Sequence, residues 1–187
     1  MSRPKSEDKR KAILDAALQV FAERGISDSP TSAISKAAGV AEGTLFTYFR
    51  TKDELMNELY LEMRQEFSRY LPQFPIQGDA QARLRYIWDK YLELGAAHPE
   101  RLRVLAQLRA SGKLFKENEP PAAAIVELMN AVREAAQGSE LREATPEYLA
   151  LLVRAQAETT IEFIRAHPEC AEVCREQGFR LVWNGFA

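Results

Sequence analysis

The segment TSAISKAAGVAEGTLFTYF, residues 31–49, constrains the fold more than any other stretch of this 187-residue chain. Two short helical patterns meet there at Gly39, and helices of that length do not persist alone in water. They must be packed on something. Ile34, Leu45 and Phe49 fall on one side and would anchor both helices to the one before them. Ala37 and Ala38 permit close helix–helix approach, Gly39 makes the turn, and Val40 can fill the angle. Ala41, Glu42, Thr44, Phe46, Thr47 and Tyr48 are then left on the outside. Two helices joined by a glycine-containing turn are the smallest device that lays a helix in a DNA major groove. A helical hairpin with no DNA role has the same geometry, so this pattern alone leaves both readings open.

The rest of the chain is helical by the same kind of signal, because β-branched alternation is absent and start and stop signals recur. A first helix is predicted over about Ser6–Arg24, with Ile13, Ala16, Ala17, Val20 and Phe21 on one face and Gly25 as its left-handed stop. Ser29-Pro30 reads as a cap and first-turn proline opening a helix to about Ala38. The third helix is expected over about Ala41–Phe49. Thr51 then caps a fourth helix, which carries Leu55, Met56, Leu59, Met63, Phe67 and Leu71. Further helices are predicted from Asp79 to about Ala97, from Pro99 to the Ser111-Gly112 break, from Ala122 to Gln137, from Thr145-Pro146 to about Ala166, and from about Pro168 to Asn184. The fold class is all-α, without internal repeat or low-complexity tract.

Composition excludes several functions. Hydrophobic residues make up 46% of the chain, enough for a core. No apolar run approaches the roughly 18 residues of a membrane-spanning helix. The opening MSRPKSEDKR lacks the apolar stretch of a signal peptide, so a cytoplasmic location and no membrane partner are expected. A formal net charge of −2 argues against a generally basic nucleic-acid binder, but distribution matters more than the sum. Residues 1–55 hold nine Lys and Arg against eight Asp and Glu. Arg3, Lys5, Lys9, Arg10 and Lys11 crowd the N-terminus, as either a phosphate-binding arm or a solubilising tail would. Cys170 and Cys174 cannot frame a disulfide network, and a four-residue helical spacing holds them too rigidly for an easy bridge. With His167 they invite a metal reading, but Pro168 interrupts the helix and no fourth ligand is evident. No Ser/His/Asp set, phosphate loop or paired catalytic carboxylates is identifiable. The expectation is therefore no enzyme, no catalytic residue, no metal site and no cofactor.

Within this frame, ISKAAGVAEGTLFTYFRTKDEL (residues 34–55) resembles the DNA-binding signature of the tetracycline-repressor (TetR) family in its glycine turn, its GTLFTYF core and its TKDEL continuation. The resemblance covers the first 55 or so residues; beyond them only length and helical layout match. It implies a three-helix DNA-binding domain over 1–51 and a helical ligand-sensing and dimerisation domain over 52–187. It also implies a repressor, a homodimer on palindromic double-stranded operator DNA that a small-molecule effector releases. By the resemblance, Thr31 is placed to bond a phosphate and Gly43 lets the recognition helix approach closely. Tyr48 and Lys52 take phosphate contacts, helped by the amino terminus of helix four. Thr44 and Thr47, beside Ala41, face base edges or thymine methyls. Two positions depart from the pattern. Phe46 stands where the family often has tyrosine, and can pack on a thymine methyl but cannot bond a phosphate. Glu42 is acidic on the DNA-facing side, either an acceptor for a cytosine amine or a solvated helix-start charge. A helical dimeric scaffold without sequence-specific DNA binding is the alternative function.

In the second domain, Phe67, Tyr70, Tyr86, Trp88, Tyr91, Phe115, Met129, Tyr148 and Phe163 sit at helical spacing, as core or as the lining of a cleft between helices. Gln107, Glu158 and Thr159 are polar on otherwise apolar helices. With Phe67, Trp88, Tyr91 and Tyr148 they are the expected ligand pocket. The last two helices resemble the family's dimerisation pair, and Phe163, Phe179, Val182 and Trp183 are the expected interface. A two-fold dimer suits half-sites roughly 34–36 Å apart.

Overall fold

The computed structural model describes residues 4–68, 79–114, 123–135 and 143–186. Among them run nine α-helices: α1 (Pro4–Arg24), α2 (Thr31–Ala37), α3 (Glu42–Tyr48), α4 (Lys52–Ser68), α5 (Ala80–Ala97), α6 (Pro99–Ala110), α7 (Ala123–Ala135), α8 (Pro146–Ala166) and α9 (Ala171–Phe186). A 3-10 turn, Pro168–Cys170, leads into α9. The chain forms two compact units, Met1–Phe67 with Glu100–Asn118, and Ser68–Pro99 with Glu119–Ala187. Of the sites read from sequence, the side chains of Phe67, Tyr70 and Phe115 lie outside the described residues.

In the first unit the apolar face of α1 places Ile13, Leu14, Ala17 and Phe21 in the interior. Gly25, at φ +79°, stops the helix in a conformation that an L side chain resists. The expectation for Ser29 is corrected at this point. Pro30 occupies the N-cap of α2, and no side chain caps that helix. Ser29 is fully buried, so its hydroxyl must find an acceptor inside the protein. It donates to the Gly25 carbonyl, just past the end of α1, at 2.5 Å and lies 3.3 Å from that of Val20. Gly39, at φ +65°, makes the turn between α2 and α3, where the Val40 amide donates to the Ser35 carbonyl at 3.0 Å.

Helix α4 starts with a reciprocal cap. The Glu54 amide donates to Thr51 Oγ1 at 3.0 Å, and the Glu54 carboxylate accepts from the Arg50 amide at 2.7 Å. Leu55, Met56, Leu59, Tyr60 and Met63 join the core that α1, α2 and α3 share with Val104 and Leu108 of α6. Polar ties fix the register of α4. Arg10 pairs with Glu58 at 2.6 Å and Arg101 pairs with Glu66. Asn57, fully buried, donates to the carbonyls of Asp53 (2.7 Å) and Lys113 (3.1 Å).

The second unit is a bundle in which α8 packs on α5, α7 and α9. Asp79 caps α5 by accepting from the Ala82 amide at 2.8 Å, and Thr145 caps α8 by accepting from Tyr148 at 3.3 Å. Trp88 is fully buried, its ring centroid 6.3 Å from that of Phe179 and its indole N–H donating to the Arg175 carbonyl at 3.2 Å. At the α5–α9 contact Arg85 pairs with both Asp89 (2.8 Å) and Glu176, and lies 5.0 Å above the Phe179 ring.

Candidate DNA-binding surface

The outward face of α3 arises by exclusion. Ile34, Leu45 and Phe49 are at most 1% exposed. Their burial leaves Ala41, Glu42, Gly43, Phe46 and Thr47 open to solvent, with Thr44 and Tyr48 half-buried beside them. Phe46 presents 40% of its surface, so an apolar ring stands on the open face. A Cβ added at Gly43 would meet nothing within 4 Å, so no contact inside the fold asks for glycine there.

Several of these side chains already have partners. Thr47 donates its hydroxyl to the Gly43 carbonyl one turn back, at 2.9 Å. Thr31 donates to Glu42 Oε1 at 2.9 Å. Through this bond Glu42, exposed to solvent, joins the first turn of α3 to the first residue of α2. The Tyr48 hydroxyl lies 3.4 Å from Ser6 Oγ on α1. Lys52 departs furthest from a free phosphate clamp. Its ammonium donates to the Ile26 carbonyl at 2.5 Å and sits 5.8 Å from the centre of the Phe21 ring. Partial burial and the nearby charge of Lys113 lower its pKa, while Asp53 and Asp28 act against that shift. Lys52 therefore ties the start of α4 to the connection between α1 and α2. No local spacing announces either link, since Thr31 and Glu42, or Ile26 and Lys52, meet only once the helices are packed.

The expected pocket residues separate. Trp88 belongs to the core of the second unit. Tyr91 and Glu158 are brought together across α5 and α8, the phenol donating to Glu158 Oε1 at 2.7 Å, with Arg154 Nε 3.9 Å from the same oxygen. Tyr148, 51% exposed, and Thr159, exposed with its hydroxyl on the Ala155 carbonyl at 2.9 Å, point away from the bundle interior, which corrects their assignment to a pocket. The buried threonine is the neighbour, Thr160. Gln107 has a buried side-chain oxygen. It belongs to the first unit, its Oε1 4.0 Å from the Cβ position of Gly25.

The expected interface also divides. Phe179 and Val182 are 5% and 8% exposed, held in the chain's own core by α5 and α8, and so are not offered to a partner. Trp183 is half-buried and Phe163 is half-exposed. The apolar side chains that do face outward are Leu151, Leu152 and Phe163 on α8 with Val173 and Leu181 on α9.

The packed helical pair around Gly39, with the outer face of its second helix unoccupied, defines a helix-turn-helix protein carrying a separate helical unit. Residues 13–59 match the family described as bacterial regulatory proteins, tetR family. Over 97 residues the chain is 35% identical to the fatty acid metabolism regulator protein of Bacillus subtilis (strain 168), an alignment that covers 51% of this chain and 50% of that protein. A TetR-family transcription regulator from Shewanella sp. PV-4 superposes with a TM-score of 0.75 at 26% identity, over 94% of this chain and 96% of that one. FadR from Bacillus subtilis in complex with stearoyl-CoA shares the fold with a TM-score of 0.69 at 22% identity, over 94% of this chain and 98% of that one. The match of residues 13–59 gives the chain a DNA-binding segment of the TetR type, and the rest is similar to TetR regulators in fold. It spans about half the length of the curated relatives it matches.

Proposed function

We propose that this protein is a ligand-responsive transcriptional repressor, a homodimer that holds a palindromic operator through two copies of α3 and releases it when a small molecule occupies the helical unit. The observation that carries this reading is the face of α3. The helix is anchored from below by Leu45 and Phe49, and its open side carries an exposed Phe46 and a glycine that no internal contact explains. DNA reading is assigned to residues 1–51, sensing and dimerisation to 52–187. Thr31, Gly43, Tyr48 and Lys52 serve the phosphates; Ala41, Glu42, Thr44, Phe46 and Thr47 serve the bases. On DNA, Thr31 exchanges Glu42 for a phosphate oxygen, which frees the carboxylate to accept from a cytosine amine.

The outward apolar residues of α8 and α9 support a two-fold four-helix interface, since five large apolar side chains stand exposed on these two helices. For the effector, the names of the relatives point to acyl chains: a fatty acid metabolism regulator and a FadR bound to stearoyl-CoA. An acyl-CoA thioester is therefore the first molecule to test, with Tyr91 and Glu158 as polar groups among the apolar residues of α5 and α8. Release is a population shift, and requires the effector to prefer the α3 spacing that does not fit the operator. No described helix is long and apolar enough to cross a membrane, in keeping with work on DNA in the cytoplasm.

Fluorescence anisotropy with a labelled palindrome from the region upstream of the protein's own gene tests the reading. Binding is expected to survive excess scrambled duplex, to weaken steeply between about 50 and 200 mM salt, and to be reversed by stearoyl-CoA but not by CoA. Equal affinity for the palindrome and the scrambled duplex would overturn it.

A further inference from the structure

At the joint between α8 and α9, Cys170 ends the 3-10 turn and Cys174 lies one turn into α9. Both thiols are free and half-buried, and their sulfurs are 3.1 Å apart. Cys174 donates to Cys170 Sγ, which in turn donates to the His167 carbonyl at 3.1 Å. The geometry points to a dithiol site in Cys170 and Cys174 that takes a trivalent, thiophilic arsenical, a ligand class outside the acyl-chain reading above.

The sulfur separation selects among the soft centres that thiols bind. Four-coordinate zinc needs four protein ligands in a closed site. Among the described residues no group of three His, Cys, Asp or Glu is placed to hold a metal ion. His167 stacks on Phe163 with centroids 4.4 Å apart, and its Nδ1 lies 3.2 Å from the Phe163 carbonyl. A linear two-coordinate cation with metal–sulfur bonds of about 2.3 Å would need the sulfurs roughly 4.6 Å apart. A pyramidal centre with bonds of about that length at near right angles needs about 3.2 Å between them. That is the span already present.

The chemistry favours the same ligand. The hydrogen bond shared with Cys174, with some burial, raises the pKa of the Cys170 thiol, so that thiol stays protonated. Oxidation to a disulfide begins from a thiolate and needs an acceptor for two electrons. Condensation with an organoarsonous acid, R–As(OH)2, needs neither. Two As–O bonds and two S–H bonds break, two As–S bonds form, and both thiol protons leave with the hydroxyls as two water molecules. Arsenic remains trivalent throughout.

The test treats the full-length reduced protein with one equivalent of phenylarsine oxide, followed by native mass spectrometry and thiol titration. One phenylarsenic per chain is expected, with both thiols lost, in an adduct that persists in excess glutathione and is released by a small dithiol. Cys170→Ser and Cys174→Ser, each checked for helicity by circular dichroism, should both lose the glutathione-resistant adduct. Three outcomes would overturn the proposal, and two of them are read on the unaltered protein alone. These are arsenic bridging two chains, and no adduct although iodoacetamide alkylates both cysteines. The third is an adduct equally resistant to glutathione in either serine variant.

Discussion

Two helical glycines show how differently the same residue can be required. At Gly178 on α9 an added Cβ would lie 2.7 Å from Trp88 Cζ2 and 2.8 Å from Thr160 Oγ1, both on buried side chains. The glycine is the gap that lets α9 close over the Trp88 ring. Gly178→Ala is expected to lower stability by about 1–3 kcal/mol in urea denaturation, because neither neighbour can move aside without disturbing the core. At Gly43 there is open space. Gly43→Ala should leave the fold intact and add up to about 1 kcal/mol through helix propensity. On the proposed function it should also weaken operator binding in the anisotropy assay, by holding α3 off the phosphates. Unchanged affinity would remove Gly43 from the DNA surface.

At the scale of elements, helices are held in register by a few polar ties laid over apolar packing. The buried Asn57 links α4 to the carbonyl of Lys113 just beyond α6. Asn57→Ala should cost about 1–3 kcal/mol by denaturant titration, since it removes a fully buried amide together with its bonds to the Asp53 and Lys113 carbonyls. The α5–α9 tie depends on pH. Arg85 holds the Glu176 carboxyl below its usual range, chiefly through their hydrogen bond, and Arg180 and Arg175 act in the same direction. A carboxyl with a depressed folded-state pKa contributes stability that is complete above the ordinary carboxylate range. That contribution drains away as pH falls through the folded value. Lowering the pH from about 5 to about 3 in a series of thermal melts should therefore lower Tm more in the wild type than in Glu176→Gln. Parallel curves for the two proteins would remove this pair from the acid response.

For the whole molecule, the formal net charge of −2 offers little bulk attraction to DNA. On the proposed function, operator affinity then rests on presenting two α3 helices at once, which makes the proposed dimer face decisive. Leu181, 66% exposed on α9, and Phe163, 50% exposed on α8, are the substitutions of choice. Leu181→Glu or Phe163→Glu should move the protein from dimer to monomer in sedimentation velocity, with helicity unchanged and operator binding lost in parallel. A wild-type monomer that still binds a palindrome specifically would sink the two-fold arrangement.

Much of the architecture was legible in the amino-acid order, because helix ends are local events. Gly25, Asp79 and Thr145 mark their helix boundaries with side chains or backbone states that act within a few residues. The inward set Ile34, Leu45 and Phe49 follows from spacing alone, since a short helix has one apolar side to bury. What the tertiary structure decided is which of two available partners each group took. Ser29 turned back to α1 instead of capping α2, Lys52 reached Ile26, and Glu42 received Thr31. On α9 the order of residues offers apolar groups on two sides. Periodicity cannot say which side covers the chain's own Trp88 and which is left for another molecule. Packing assigned Phe179 and Val182 to the core and left Val173 and Leu181 outside. The reason is range: caps and turns are settled within one helical turn, whereas the choice between core and surface depends on helices far away in sequence.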